Sequence, residues 1–170
     1  MPSFKKIFFL FSVLLSLSGC ALKGPEGVVR AYFTGDSKGE KLSPETYAGK
    51  IAPLVEWPSE HVWDRAFIID GTKILRSRMI SENEASVEVR YHVVGILSTY
   101  GILSYDFHEI VDFTVVEDKG KWKIRRPAIP PHLWPRSVIR HLEKALEMEP
   151  DPGKAVFIKH DIDTLKCLEK

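Results

Sequence analysis

From Tyr105 to Val115 one carboxylate stands among apolar side chains: Tyr105, Phe107, Glu109, Val111, Phe113 and Val115 fall at alternate positions. In a strand these residues share one face, so a regular strand aims Glu109 at the apolar side. An unpaired carboxylate there is costly to bury and its pKa rises, which is the environment of a general acid or base working near neutral pH. Tyr91, on the apolar parity of the preceding stretch, and Tyr105 carry phenol hydroxyls able to donate hydrogen bonds to it. Two other arrangements fit the same residues. A bulge would turn Glu109 outward, or an arginine such as Arg78 or Arg90 would pair with it, and ion pairs perturb carboxylates as active sites do.

His108 and Asp112 have the i, i+4 spacing of a helical metal pair. On a strand, four residues span about 13 Å, too far to share one ion, and the period here is two. Both are expected on a polar face, and no metal site follows. The chain has no Gly-x-Ser-x-Gly elbow, no His-Glu-x-x-His, no phosphate-binding Gly-x-x-x-x-Gly-Lys and no cysteine pair for zinc, so no catalytic set is established and no cofactor is implied. The basic run Lys119, Lys121, Lys123, Arg125 and Arg126, with Trp134 and Arg136 beyond it, suits either anionic head groups, at about 1 kcal/mol per residue, or a solvated strand edge kept from aggregating by its lysines. Glu117 and Asp118 dilute it, which favours the edge. Trp57, His61 and Trp63 precede the first strand, where they would gate a cavity mouth or form a satellite core.

The elements that position these groups follow from periodicity. Val28, Val29, Tyr32 and Phe33 form one helical face, which Gly35 is expected to stop. Ser43-Pro44 reads as an N-cap with proline at the first helical position, opening a second helix that buries Tyr47, Ile51, Leu54 and Val55 and that Pro53 ends or kinks. Phe67-Ile68-Ile69 runs into Asp70-Gly71, a hairpin signal, with Thr72 to Ser81 returning. Strands are expected over Ala85–Ser98, Tyr105–Glu117 and Lys121–Arg126, joined by turns at Glu82-Asn83-Glu84 and Asp118-Lys119-Gly120, as an antiparallel meander. A proline cluster from Pro127 to Pro135 ends it. Val138, Ile139, Leu142, Ala145 and Leu146 then specify an amphipathic helix, and Lys154 to Lys170 a terminal helical segment weakly tied down.

Helices followed by long antiparallel strands with an aromatic face require a curved sheet that folds over the helices. With Pro25-Glu26-Gly27-Val28-Val29-Arg30-Ala31-Tyr32-Phe33 at the first helix and Val111 to Ile124 at the last hairpin, this order resembles the NTF2-like superfamily, which includes ketosteroid isomerase-like enzymes. The resemblance covers roughly Pro25 to Pro127. It implies an α+β cone, N-terminal helices packed in a strongly curved antiparallel sheet, to which the C-terminal helices are an addition. Relatives of the isomerase kind work with cavity acids, but this sequence lacks the full acid, tyrosine and second-acid pattern, so no catalytic role transfers to Glu109.

Lys5 and Lys6, the apolar Ile7–Leu17 and the small Ser18-Gly19 stand in signal-peptide order, and the apolar stretch falls well short of the about 20 residues that cross a bilayer. Leu17-Ser18-Gly19-Cys20 resembles the lipobox of bacterial lipoproteins. That resemblance implies cleavage between Gly19 and Cys20 and acylation of Cys20, palmitate-type chains that each add about 0.8 kcal/mol per buried methylene to membrane anchoring. An ordinary secretory signal, or a cysteine buried in an N-terminal core helix, would explain the same residues. The expected organisation is a signal peptide over 1–19, a lipidated tether over 20–25, the cone domain over 26–127, and a proline-rich linker with a helical extension over 128–170. Ala21 lacks the aspartate associated with inner-membrane retention in some bacteria, so the expected place is the cell envelope, on the periplasmic side of the outer membrane.

Of 24 basic residues, Lys5 and Lys6 lie in the signal, leaving 22 against 23 acidic ones. A nearly neutral domain outside the cytoplasm gives no field for nucleic acid. With Cys20 acylated, Cys167 is the remaining thiol and no internal disulfide forms. The expected partners are the membrane, through the lipid, and a small apolar ligand or an envelope protein, with a homodimer also open. The primary expectation is a non-enzymatic binding module. The alternatives are an isomerase- or dehydratase-like enzyme using Glu109, and a structural or assembly subunit of an envelope complex.

Overall fold

The computed structural model describes residues 24–168 except Pro58 and Glu60. Helix α1, Pro25–Ser37, starts on a proline that needs no intrahelical donor and buries Val28, Val29, Tyr32 and Phe33, each worth about 1.5–3 kcal/mol on burial. Contrary to expectation, Gly35 does not stop it. A Cβ on Gly35 would lie 2.5 Å from Glu40 Oε2 and 2.9 Å from Ile51 Cδ1, so this glycine serves close packing inside the helix, and Gly39, at φ 82°, makes the turn. Ser43 caps the next segment as the sequence indicates, its Oγ accepting from Thr46 N–H at 3.3 Å. That segment is short and irregular: α2, Pro44–Thr46, passes into a π-helical turn, Tyr47–Ile51, and a 3-10 turn, Ala52–Leu54, where Pro53 ends it.

Four strands form the meander: β1, Arg65–Ser81; β2, Glu84–Ser98; β3, Gly101–Asp118; and β4, Lys121–Arg126. The Asp70-Gly71 hairpin does not exist. β1 runs straight through it against β2, with register shifts between Ile68 and Ile69 and between Ile69 and Gly71, so the dipeptide marks a bulge. A partner strand long enough to pair with both halves of β1 removes any need to turn there. The turns at Glu82-Asn83 and Lys119-Gly120 form as expected, the latter with φ of 51° and 79°.

After β4 the proline-rich segment crosses the open side of the sheet. Ile129 enters the core beside α1, Phe67 N–H donates to Pro131 O at 2.8 Å, and His132–Leu133 pair with β1 in parallel as β5. The result is a strongly curved, mixed sheet in the order β4-β3-β2-β1-β5, an α+β architecture compatible with a cone. Its concave face packs on α1 and the irregular segment through Ile69, Val87, Val89, Tyr91, Val93, Val111, Phe113 and Val115. Helices α3, Pro135–Met148, and α4, Pro152–Leu168, build a second core on the other face, where Val138, Leu142, Ile162 and Leu165 meet Ala66, Ile68 and Leu133.

Candidate functional site

Glu109 lies on β3 directly opposite Tyr91 on β2, and cross-strand partners share a face. It therefore points into the concavity, as its parity indicates. Neither Arg78 nor Arg90 reaches it: Arg90 pairs with Ile110 on the opposite face, and Arg78 lies far along β1 beside Ser86. Its partner is His132 of β5, whose Nε2 lies 2.8 Å from Glu109 Oε2. His132 is 1% exposed, whereas the Glu109 side chain is 29% exposed. A buried imidazole thus holds a carboxylate whose other side reaches solvent.

The proton inventory of this pair is constrained. His132 Nδ1 lies 2.8 Å from Pro130 O, and a carbonyl only accepts, so Nδ1 carries a hydrogen. Nε2 and Glu109 Oε2 then share one proton, as imidazolium with carboxylate or as imidazole with carboxylic acid. Behind the histidine stands a second acid. Asp36, at the end of α1, accepts the backbone N–H of His132 at 3.1 Å and sits 3.9 Å from its Nδ1. Lys41 faces Asp36 at 3.8 Å with both side chains fully buried. Its ammonium donates to Ile129 O at 2.7 Å and Tyr32 Oη at 3.1 Å. Buried charges persist when paired and hydrogen-bonded in this way.

Tyr91 is fully buried. Its ring lies 4.3 Å from that of His132, and its hydroxyl has no hydrogen-bond partner among the described residues. Burial pushes the phenol well above its ordinary value, and the negative charges of Asp36 and Glu109 push the same way. Tyr91 thus flanks the Glu109–His132 pair without bonding to it. Tyr105 is 46% exposed and stands at the rim: Tyr105 and Asp106 together oppose Val94, a bulge that keeps the tyrosine ring 6.1 Å from Phe107 and sends Asp106 to the other face. Phe107 meets Phe67 edge-on at 6.4 Å, and Phe67 lies 5.0 Å from His132. Ile96, paired with both Phe67 and Leu103, continues this surface. The chain therefore carries an aromatic and aliphatic trough on the concave face, beyond the part that α1 fills, with the Glu109 carboxylate beside it.

The remaining sequence candidates lie elsewhere. His108 and Asp112 occupy the convex face: His108 stacks on His92 at 4.8 Å, and Asp112 accepts from Ser86 Oγ at 2.6 Å. His92 bonds through Nδ1 to Asp70 and through Nε2 to Asp106 at 2.8 Å; these two acceptors, Asp106 first, raise its pKa. Trp57, His61 and Trp63 form a ladder with centroids 6.4 and 5.7 Å apart, and Trp57 touches Tyr32 at 6.3 Å, so the tryptophan extends the core. In the basic run, Arg125 bonds to Glu56 at 2.8 Å and Arg126 to Thr114 at 3.3 Å. Gly19 and Cys20 lie outside the described residues.

No protein-family model and no curated protein matches the chain.

His132, Asp36 and Lys41 are absent from the sequence reading. His132 sits in a proline cluster with no periodicity to declare its direction. A signal was present in the apolar neighbours Ile129, Pro131, Leu133 and Trp134, which surround the histidine as core residues would. Lys41 had none, since lysine is almost never fully buried.

Proposed function

We propose that the chain is a lipid-anchored envelope protein whose NTF2-like domain binds a small, largely apolar molecule on the concave face of its sheet. The anchor rests on Leu17-Ser18-Gly19-Cys20, with Cys20 as the acylated residue. The binding reading rests on one observation above all: the Glu109 carboxylate, fixed from behind by His132, stands half-buried beside the apolar trough of Phe67, Ile96, Leu103, Tyr105 and Phe107. Binding sites are mostly apolar surfaces with a few placed polar groups, and a carboxylate held on one oxygen offers the other to a donor on the ligand. The resulting ligand class is an apolar or aromatic molecule carrying a hydroxyl or amine.

Native mass spectrometry of residues 21–170, exported behind a cleavable non-lipoprotein signal, tests this. The expected result is a co-purifying small molecule that the Phe107→Asp variant loses. A ligand-free oligomer, or a bare monomer, would overturn the ligand reading, and the oligomer would direct attention to a structural role. Incorporation of labelled palmitate, abolished by Cys20→Ser, tests the anchor separately.

The proton shared between Glu109 and His132 favours a second reading, acid–base catalysis of an isomerase or dehydratase kind with Glu109 as the group facing substrate. Under it, Glu109→Gln keeps the ligand bound and unchanged, whereas wild-type protein converts it; equal turnover by both would end this reading.

A further inference from the structure

A cleft of about 450 Å³ lies between α3 and the turn that follows α1, within the range of about 300–1,000 Å³ typical of small-molecule sites. Lys38 lines one side, and Arg140, His141 and Lys144 of α3 line the other, while Leu42, Ala145 and Met148 supply apolar wall and no acidic residue lines it among the described residues. In a chain with formal net charge of only +1, this is a local concentration of cations. Glu45 lies within electrostatic reach of Lys144, and its carboxylate already accepts from Ser43 Oγ at 3.0 Å. Arg140 is oriented by donation from Nη2 to the backbone Lys38 O at 3.1 Å, which ties α3 to the turn after α1 across the cleft. Ser137, Ser43 and Thr46 add hydroxyls to the lining.

A second cleft of about 460 Å³ shares Leu42, His141 and Ala145 with the first and continues past Leu142, Ala66 and Trp63 to Leu97. The two share that wall: a cationic end with hydroxyls, then a second cleft whose surface is mostly apolar, although Asp64, Arg65, His61, Ser98 and Thr99 also line it. That order of chemistry fits one molecule with an anionic head and an apolar chain. We propose that this groove binds a phosphate-bearing amphiphile, with the phosphate held by Lys38, Arg140 and Lys144 and the chain laid over Leu42 and Ala145 towards Trp63 and Leu97. Guanidinium and ammonium groups together suit a phosphate: arginine binds it with paired donors and lysine as a point charge. This site is separate from the concave trough and does not depend on what the trough binds.

The test uses the full chain held in dodecyl maltoside micelles, which carry no phosphate, and titrated calorimetrically, with empty micelles subtracted, against octyl phosphate, inorganic phosphate and octanol at physiological ionic strength. Octyl phosphate is expected to bind at least tenfold more tightly than either of the others, because it alone engages both ends of the groove. Arg140→Gln with Lys144→Gln is expected to weaken it at least tenfold, while Lys121→Gln with Lys123→Gln on β4 leaves it unchanged. Inorganic phosphate binding as well as octyl phosphate would replace the amphiphile by a free phosphate and overturn the proposal, and octanol binding as well would remove the need for an anion. Should the α3 variant lower the melting temperature, Lys38→Gln with Trp63→Ala provides an independent removal of the head and chain contacts; unchanged affinity in both variants would overturn the assignment.

Discussion

His132 and Glu109 meet at 2.8 Å although their strands, β5 and β3, are separated in the sheet by β1 and β2. Strands lie about 4.8 Å apart, so a flat sheet would hold these two backbones about 14 Å from each other. The contact is a chord across a curl, with the rings of Phe67 and Tyr91 stacked against the imidazole that makes it. Position and chemistry are thereby joined: the curvature that creates the trough also places the carboxylate within it.

Glu109→Ala leaves the fully buried Nε2 of His132 without its hydrogen-bond partner, which costs about 1–3 kcal/mol. Glu109→Gln retains an amide that can donate or accept there and is expected to cost less. Urea denaturation of both variants checks the order: equal losses would show that the amide does not replace the carboxylate, and no loss in Glu109→Ala would show that the hydrogen bond to His132 contributes nothing.

Lys41→Met removes the cation beside a buried carboxylate, and breaking such a pair from one side costs about 3–5 kcal/mol. Asp36→Asn added to Lys41→Met is expected to recover part of that loss because the uncompensated charge disappears. A double-mutant cycle read by denaturant midpoint measures the recovery.

Tyr91→Phe is expected to raise stability by about 1 kcal/mol, since the hydroxyl it deletes is buried with no hydrogen-bond partner among the described residues and its desolvation is unrepaid. A higher melting temperature with an unchanged far-ultraviolet spectrum supports this. A lower one would mean that the hydroxyl is engaged.

His92 supplies a pH signature. Asp106 and Asp70 raise its folded pKa above the ordinary histidine value of 6.5, so the folded state binds this proton more tightly than the unfolded chain. The stabilisation is fully present below about pH 6.5 and is lost as pH rises through the raised folded value. The stability difference between wild type and His92→Gln is therefore expected to shrink as pH climbs above neutrality, a trend that denaturation curves at stepped pH values reveal.

Much of the architecture was legible because burial writes periodicity into sequence. Val87, Val89, Tyr91 and Val93 marked β2, and Glu109 announced its inward direction by parity with Val111 and Phe113. Asp70-Gly71 misled because a dipeptide that permits a turn also permits a bulge, and the choice belongs to the distant partner strand. His132 was hidden for a related reason: its direction is set by pairing with Phe67 and by Glu109 across the curl, interactions that leave no local pattern. Lys41 contradicts its residue type, and the Asp36 carboxylate, the Tyr32 hydroxyl and the Ile129 carbonyl, brought near by tertiary structure, make its burial tolerable.

β5 covers only Phe67 and Ile68 at the free edge of β1, yet it arrives last among the strands. β1 to β4 precede it in the chain, so the apolar end of that edge is covered only once the sheet is followed by His132 and Leu133. Beyond them, the edge from Thr72 to Ser81 has no second partner strand among the described residues; it carries Lys73 and Arg78 as like charges that repel a second copy approaching in register, while Arg76 is held to Glu88 at 3.0 Å. One strand thus carries two kinds of guard: a short latch for its apolar end, and an electrostatic fence for the rest.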